Sequence, residues 1–129
     1  MLKLNWGQKL SWTVKISWSK NASLPIIASS LLLDRVKLNN VPRIWDVLTF
    51  LEIIKSLNVK VDFIWNTLNM DTTAMNLSNL DVEKIKKIRV WILLLPALLK
   101  KFWEVNIPYP GWCNIGKRPI DEHIKWLTA

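Results

Sequence analysis

Several of the nine tryptophans of this chain fall where a folding backbone turns, and they stand beside only three glycines. That imbalance limits what the chain can build more than any other feature. At ordinary usage of about 7%, a chain of this length carries roughly nine glycines. Glycine enters the left-handed backbone region at little steric cost, whereas the Cβ of tryptophan opposes it. Trp12 precedes a strand candidate, Trp18 lies between strand and helix candidates, Trp65 follows a strand candidate and Trp103 a helix candidate. Trp112 sits in a turn-rich loop and Trp126 within the last helix candidate, while Trp6, Trp12 and Trp18 recur every six residues across expected turns. Aromatic anchors for a ligand or a bilayer interface would cluster on one face of one element, and these do not. The distribution is that of glycine. A gene whose UGA codons mean glycine gives this pattern when those codons are read as tryptophan, with Gly7, Gly111 and Gly116 left to ordinary codons. Trp45 and Trp91 fit the set least well.

Between these points the apolar periodicity is clear. "TVKIS" (13–17) alternates as a half-buried strand does. "NASLPIIASSLLL" (21–33) is expected to be a helix with Asn21 as its cap and Pro25 in its first turn. "DRVKLNNVP" (34–42) reads as a strand ending at proline. In "DVLTFLEIIKSL" (46–57), Val47, Phe50, Leu51, Ile54 and Leu57 share one helical face, with Asp46 at the start. Asn58 then takes the left-handed position that closes a helix. "VKVDFI" (59–64) is a further strand. "EKIKKIRVWILLLPALLKKF" (83–102) is a long apolar helix, bent or divided near Pro96. "EVNIPYP" (104–110) is a strand, and "PIDEHIKWL" (119–127) a helix with Ile120, Ile124 and Leu127 as its stripe. The order repeats with a period of about 65–75 residues. Residues 1–66 form a first α/β unit and 67–129 a second, expected to stop before its closing strand.

The chain has half of its residues apolar, the balance of a globular domain, and a net charge of +8 that suits either an anionic partner or a lysine-rich solvated surface. Its single cysteine excludes an internal disulfide, and one cysteine with one histidine cannot build a zinc site. The first residues lack the apolar run of a signal peptide, and Val90 to Leu99 is too short for a membrane span. A soluble, cytoplasmic protein without a membrane partner is expected.

Three short motifs carry the chemistry. Ser-Lys-Asn (19–21, with Trp18 before it) stands at a strand-to-helix junction, Ile-Arg (88–89) at a helix start, and "YPGWCNIGKRPIDEHI" (109–124) in a loop. With glycine in place of tryptophan, these segments resemble the N-terminal part of the UDP-N-acetylglucosamine 1-carboxyvinyltransferases, a branch of the enolpyruvyl transferases. The resemblance runs from about Leu4 to Ala129, roughly the first third of a member, with all three motifs in order. It implies an incomplete α/β domain of repeated strand-helix-strand-helix-strand units, the inside-out α/β barrel of that fold. It implies transfer of the enolpyruvyl group of phosphoenolpyruvate to the 3′-hydroxyl of UDP-N-acetylglucosamine in peptidoglycan synthesis, through a tetrahedral intermediate and with release of phosphate. No cofactor and no metal is expected.

Position by position, the resemblance makes Cys113 the loop cysteine that protonates the enolpyruvyl carbon and can form a covalent phosphoenolpyruvate adduct. Lys117 and Arg118 are close in sequence and favour a thiolate there. Lys20 resembles the lysine that contacts phosphoenolpyruvate, a point charge at a helix start. Asn21 resembles its neighbour at the substrate site. Arg89 and Arg118 resemble arginines whose planar forks bind the anionic ligands. Pro119 and Asp121 match the segment that touches the nucleotide sugar. The family's general base lies in the remainder of the enzyme, so the fragment alone is expected to be inactive and to need that missing C-terminal part as a partner.

Other readings give these residues lesser roles. Without the resemblance, Cys113 reads as a small core residue, and Lys20, Arg89 and Arg118 as solvated charges. His123 reads as structural. The shikimate-pathway enolpyruvyl transferase shares the fold but not the cysteine loop. A basic nucleic-acid-binding module would interleave tryptophans and lysines on one surface, and only "SWSKN" does so, hence no nucleic-acid partner is expected. A non-catalytic remnant of the same fold family is the remaining alternative.

Overall fold

Ser19 opens the first helix. Its backbone is extended and its hydroxyl accepts the Ala22 N–H at 3.2 Å, so helix α1 runs Lys20–Ser30. This computed structural model describes residues 7, 11–80, 85, 89–106 and 125. The cap is therefore Ser19 and not Asn21, because only a residue still outside the helix can turn its side chain back onto the third N–H. Pro25 lies in the second turn of α1, deeper than expected, where it removes one helical hydrogen bond. Leu24, Ile27, Ala28 and Leu31 face the interior from this helix and its cap.

Strand β1 (Arg35–Leu38) follows, then helix α2 (Trp45–Ser56), strand β2 (Lys60–Ile64) and strand β3 (Thr67–Asp71). β3 lies between β1 and β2 and is antiparallel to both, pairing Val36 with Met70 and Val61 with Met70. The flanking strands thus run the same way, joined by α2 as the crossover that such strands require. Alternation divides the sheet's two faces. Val36, Leu38, Val61, Phe63, Leu68 and Met70 turn to the helices, while Arg35, Lys37, Lys60, Asp62, Asn69 and Asp71 form a polar outer face. Against the inner face α2 places Val47, Phe50, Ile53 and Ile54, all fully buried. Asn58 closes α2 at φ 60°, as the sequence requires.

The long apolar helix expected over 83–102 is divided. Residues Arg89–Leu94 form a 3-10 segment and Leu95–Phe102 the helix α3, with Pro96 in its opening turn, where the missing N–H does least harm. Thr72 links this part to the sheet. Its hydroxyl donates to the Leu33 carbonyl at 2.7 Å and lies 2.8 Å from the Lys101 ammonium that donates to it.

Three expectations are corrected here. Residues 13–17 form no strand, because the segment has no ladder partner among the described residues. Asn40 fastens its end: the side-chain amide donates to the Ile16 carbonyl, and the Asn40 backbone carbonyl accepts the Trp18 N–H, both at 3.2 Å. β3 went unread because its short "TLNMD" offers only two apolar residues. Residues 104–106 are irregular instead of a strand, and the rest of that segment, like the helix expected over 119–127 apart from helical Lys125, lies outside the described residues.

On the outer face Asp71 accepts from the Thr73 hydroxyl and backbone N–H, and from Arg35 at 3.1 Å. These bonds, those of Thr73 first, hold its carboxyl below the ordinary value. A depressed carboxylate stabilises the fold above its unfolded value, and that contribution is lost as pH falls through the lower folded value. In Thr73→Ala, the Asp71 titration followed by carboxylate NMR is expected to move back up towards ordinary aspartate; an unmoved midpoint would refute the assigned cause.

Candidate active site

Helices α1 and α2 begin side by side, and their first turns carry the charges. Lys20 is the first residue of α1, and Asp46 lies in the first turn of α2. The Lys20 ammonium reaches the Asp46 Oδ2 at 3.3 Å, and both side chains keep partial access to solvent. Asn21, next along α1, is exposed. α2 starts at Ile44 without a side-chain cap, so the Asp46 carboxylate is the acidic group of that helix end, where the dipole favours negative charge.

The chain enters this corner under tight control. Asn40 takes up φ 65°, a left-handed conformation that asparagine tolerates better than most residues, and fastens residues 16–18 as described. Trp18 is half-buried and packs against the hydrophobic core. Two residues thus matter here that sequence reasoning did not connect to the site. Asp46 was read only as a helix start, and Asn40 only as the end of a strand. The signal for Asn40 was present in the pair Asn39-Asn40 ahead of Val41-Pro42, a turn-forming run.

The structure brings Lys20, Asn21 and Asp46 together. Arg89 opens the 3-10 segment. Cys113, Arg118, Pro119 and Asp121 lie outside the described residues. Among the described residues, no group of acidic, histidine and cysteine side chains could hold a metal ion, and no helix is long and apolar enough to cross a membrane.

A lysine and an asparagine at the start of one helix, with the lysine paired to a carboxylate at the start of another, form a charged corner on an α/β layer. The sequence model of the EPSP synthase (3-phosphoshikimate 1-carboxyvinyltransferase) family matches residues 4–129. The chain belongs to that family. It is 42% identical over 119 residues to the UDP-N-acetylglucosamine 1-carboxyvinyltransferase of Wolbachia pipientis subsp. Culex pipiens, covering 86% of this chain and 28% of that protein. It is 40% identical over 112 residues to the protein of the same name from Prochlorococcus marinus, covering 86% of this chain and 25% of the relative. The crystal structure of the enolpyruvyl transferase NikO from Streptomyces tendae superposes with a TM-score of 0.64 at 23% identity, over 74% of this chain and 23% of that one. That likeness shows the fold, an enolpyruvyl-transferase-type α/β arrangement. The chain spans about a quarter of the length of these curated relatives, somewhat less than the third its motifs suggested.

Proposed function

We propose that the chain is the N-terminal portion of an enzyme that transfers the enolpyruvyl group of phosphoenolpyruvate to the 3′-hydroxyl of UDP-N-acetylglucosamine. The observation that carries this reading is the identity of about 40% to transferases of that name across most of the chain. In the reaction, the sugar 3′-hydroxyl gives its proton to a general base in the remainder of the enzyme. Its oxygen adds to C2 of phosphoenolpyruvate, while C3 gains a proton from the acid. Elimination then breaks the bond from C2 to the phosphate oxygen, C3 gives up a proton, and inorganic phosphate leaves. Cys113 is assigned as the donor to C3, and Lys20, Asn21, Arg89 and Arg118 as anion and substrate contacts, with Pro119 and Asp121 against the nucleotide sugar. Such a transferase serves peptidoglycan synthesis in the cytoplasm. The division into two α/β repeat units, 1–66 and 67–129, belongs to the same reading. The 129 residues by themselves are expected to release no phosphate from the two substrates, because the facing half of the cleft is supplied by the rest of the enzyme.

Within this site Asp46 is a positioning residue. Its carboxylate fixes one side of the Lys20 ammonium and leaves the remaining N–H donors free to meet a phosphate or carboxylate. In the full-length enzyme, Lys20→Ala is expected to weaken phosphoenolpyruvate binding by about ten- to a hundredfold, the loss of one charge-assisted bond. Asp46→Asn should weaken it only about two- to fivefold, as expected for a partly exposed ion pair, and Asp46→Glu should restore most of it. Isothermal titration with phosphoenolpyruvate separates the cases. Unchanged binding in Lys20→Ala would overturn the site assignment; a Lys20 effect without an Asp46 effect would overturn the positioning role alone.

A further inference from the structure

Among the described residues, five have positive φ: Gly7, Asn40, Asn58, Trp65 and Trp103. Glycine and asparagine are the ordinary occupants of such positions, and tryptophan is not. We propose that positions 65 and 103 are glycine sites of the working protein, with codons that its source organism reads as glycine.

The two turns make the case separately. Ile64 pairs with Thr67, so Trp65 and Asn66 form a two-residue hairpin loop between β2 and β3. Trp65 has φ 53°, while Asn66 is not among the positive-φ residues. A positive φ at the first central position only is the pattern of a type II′ turn, whose first place belongs to glycine. Trp103 ends α3 with φ 62° and ψ −32°, away from the left-handed helical well, where ψ is positive. Its N–H donates to the Leu99 carbonyl at 2.9 Å, and the next N–H, that of Glu104, donates back to the Phe102 carbonyl at 2.7 Å. A hydrogen bond spanning one residue of positive φ is the rarer, strained form of γ-turn. Neither ring recovers this strain by packing, since Trp65 is 83% exposed and Trp103 87%.

Trp91 shows a different misfit. It is buried at 4% exposure with its indole N–H unpaired, and an indole in a core ordinarily finds an acceptor. Ligand-binding tryptophans would explain exposure but not glycine-only backbone geometry. A codon read as glycine explains both the shortage of glycine and the two turns.

The test is to read codons 65 and 103 in the source gene and to sequence, by mass spectrometry, the peptides spanning them in protein isolated from the source cells. UGA codons with glycine in the peptides are expected. UGG codons, or tryptophan in those peptides, would overturn the proposal. As an independent readout, Trp65→Gly and Trp103→Gly in the recombinant protein should each raise the urea midpoint of unfolding; a midpoint unchanged or lowered in both would overturn the backbone argument.

Discussion

Cys113→Ala in the full-length enzyme is expected to lower kcat by about 10²- to 10⁴-fold, the range that a positioned general acid contributes. The reason is chemical. Addition at C2 of phosphoenolpyruvate leaves C3 needing a proton, and alanine has none to give. Substrate binding should change much less, because the thiol is assigned to carbon and the cations at positions 20, 89 and 118 to the anionic groups. Steady-state phosphate release with both substrates, beside a binding titration with phosphoenolpyruvate, distinguishes the two effects. Turnover within a fewfold of the parent would remove Cys113 from the acid's role. A parallel loss of binding and turnover would instead make it a contact residue.

The second large effect concerns the fold. Phe50→Ala is expected to lower the unfolding free energy by about 3–5 kcal/mol, the usual range for truncating a buried phenylalanine. Phe50 is fully buried, at the centre of the α2 face that covers the sheet. The surroundings are β-sheet and helix side chains that cannot close on the cavity without shifting backbone. Set against a total of about 5–15 kcal/mol, that loss should be visible as a large fall in urea midpoint. Lys37→Ala, on the polar outer face of β1, should stay within about 0.5 kcal/mol of the parent. Equal losses from the two variants would mean that the inner and outer faces of the sheet have been assigned wrongly.

Much of this architecture is legible in the residues, for a physical reason. α2 carries its apolar stripe at helical spacing and its closing asparagine at the left-handed position, so local pattern and tertiary packing agree. β1 and β2 alternate cleanly. β3 is harder, because its identity comes from its neighbours: "TLNMD" becomes a central strand only when β1 and β2 offer edges on both sides. Residues 13–17 are the converse case, a strand pattern that pairs with no strand among the described residues. The cap of α1 was misplaced by two residues since Ser19 and Asn21 are both good caps, and only the geometry of the entering chain chooses between them.

The site divides in the same way. Lys20 and Asn21 were readable from a motif, and the structure sets them at a helix start facing a second helix start. Asp46 was not readable as part of that corner, because 26 positions of chain separate it from Lys20 and only the packing of α1 on α2 closes the gap to 3.3 Å. Trp65 and Trp103 were marked by composition, and their backbone angles then gave the physical reason. Trp12 and Trp18, marked by the same argument, are not at positive φ, so position beside an element is a weaker guide than the turn geometry itself.

The most direct test of the account is phosphate release by the full-length enzyme from phosphoenolpyruvate, with UDP-N-acetylglucosamine and shikimate 3-phosphate offered separately as acceptors. The account predicts release with UDP-N-acetylglucosamine and none with shikimate 3-phosphate. Release with shikimate 3-phosphate alone, or with neither acceptor, would contradict it.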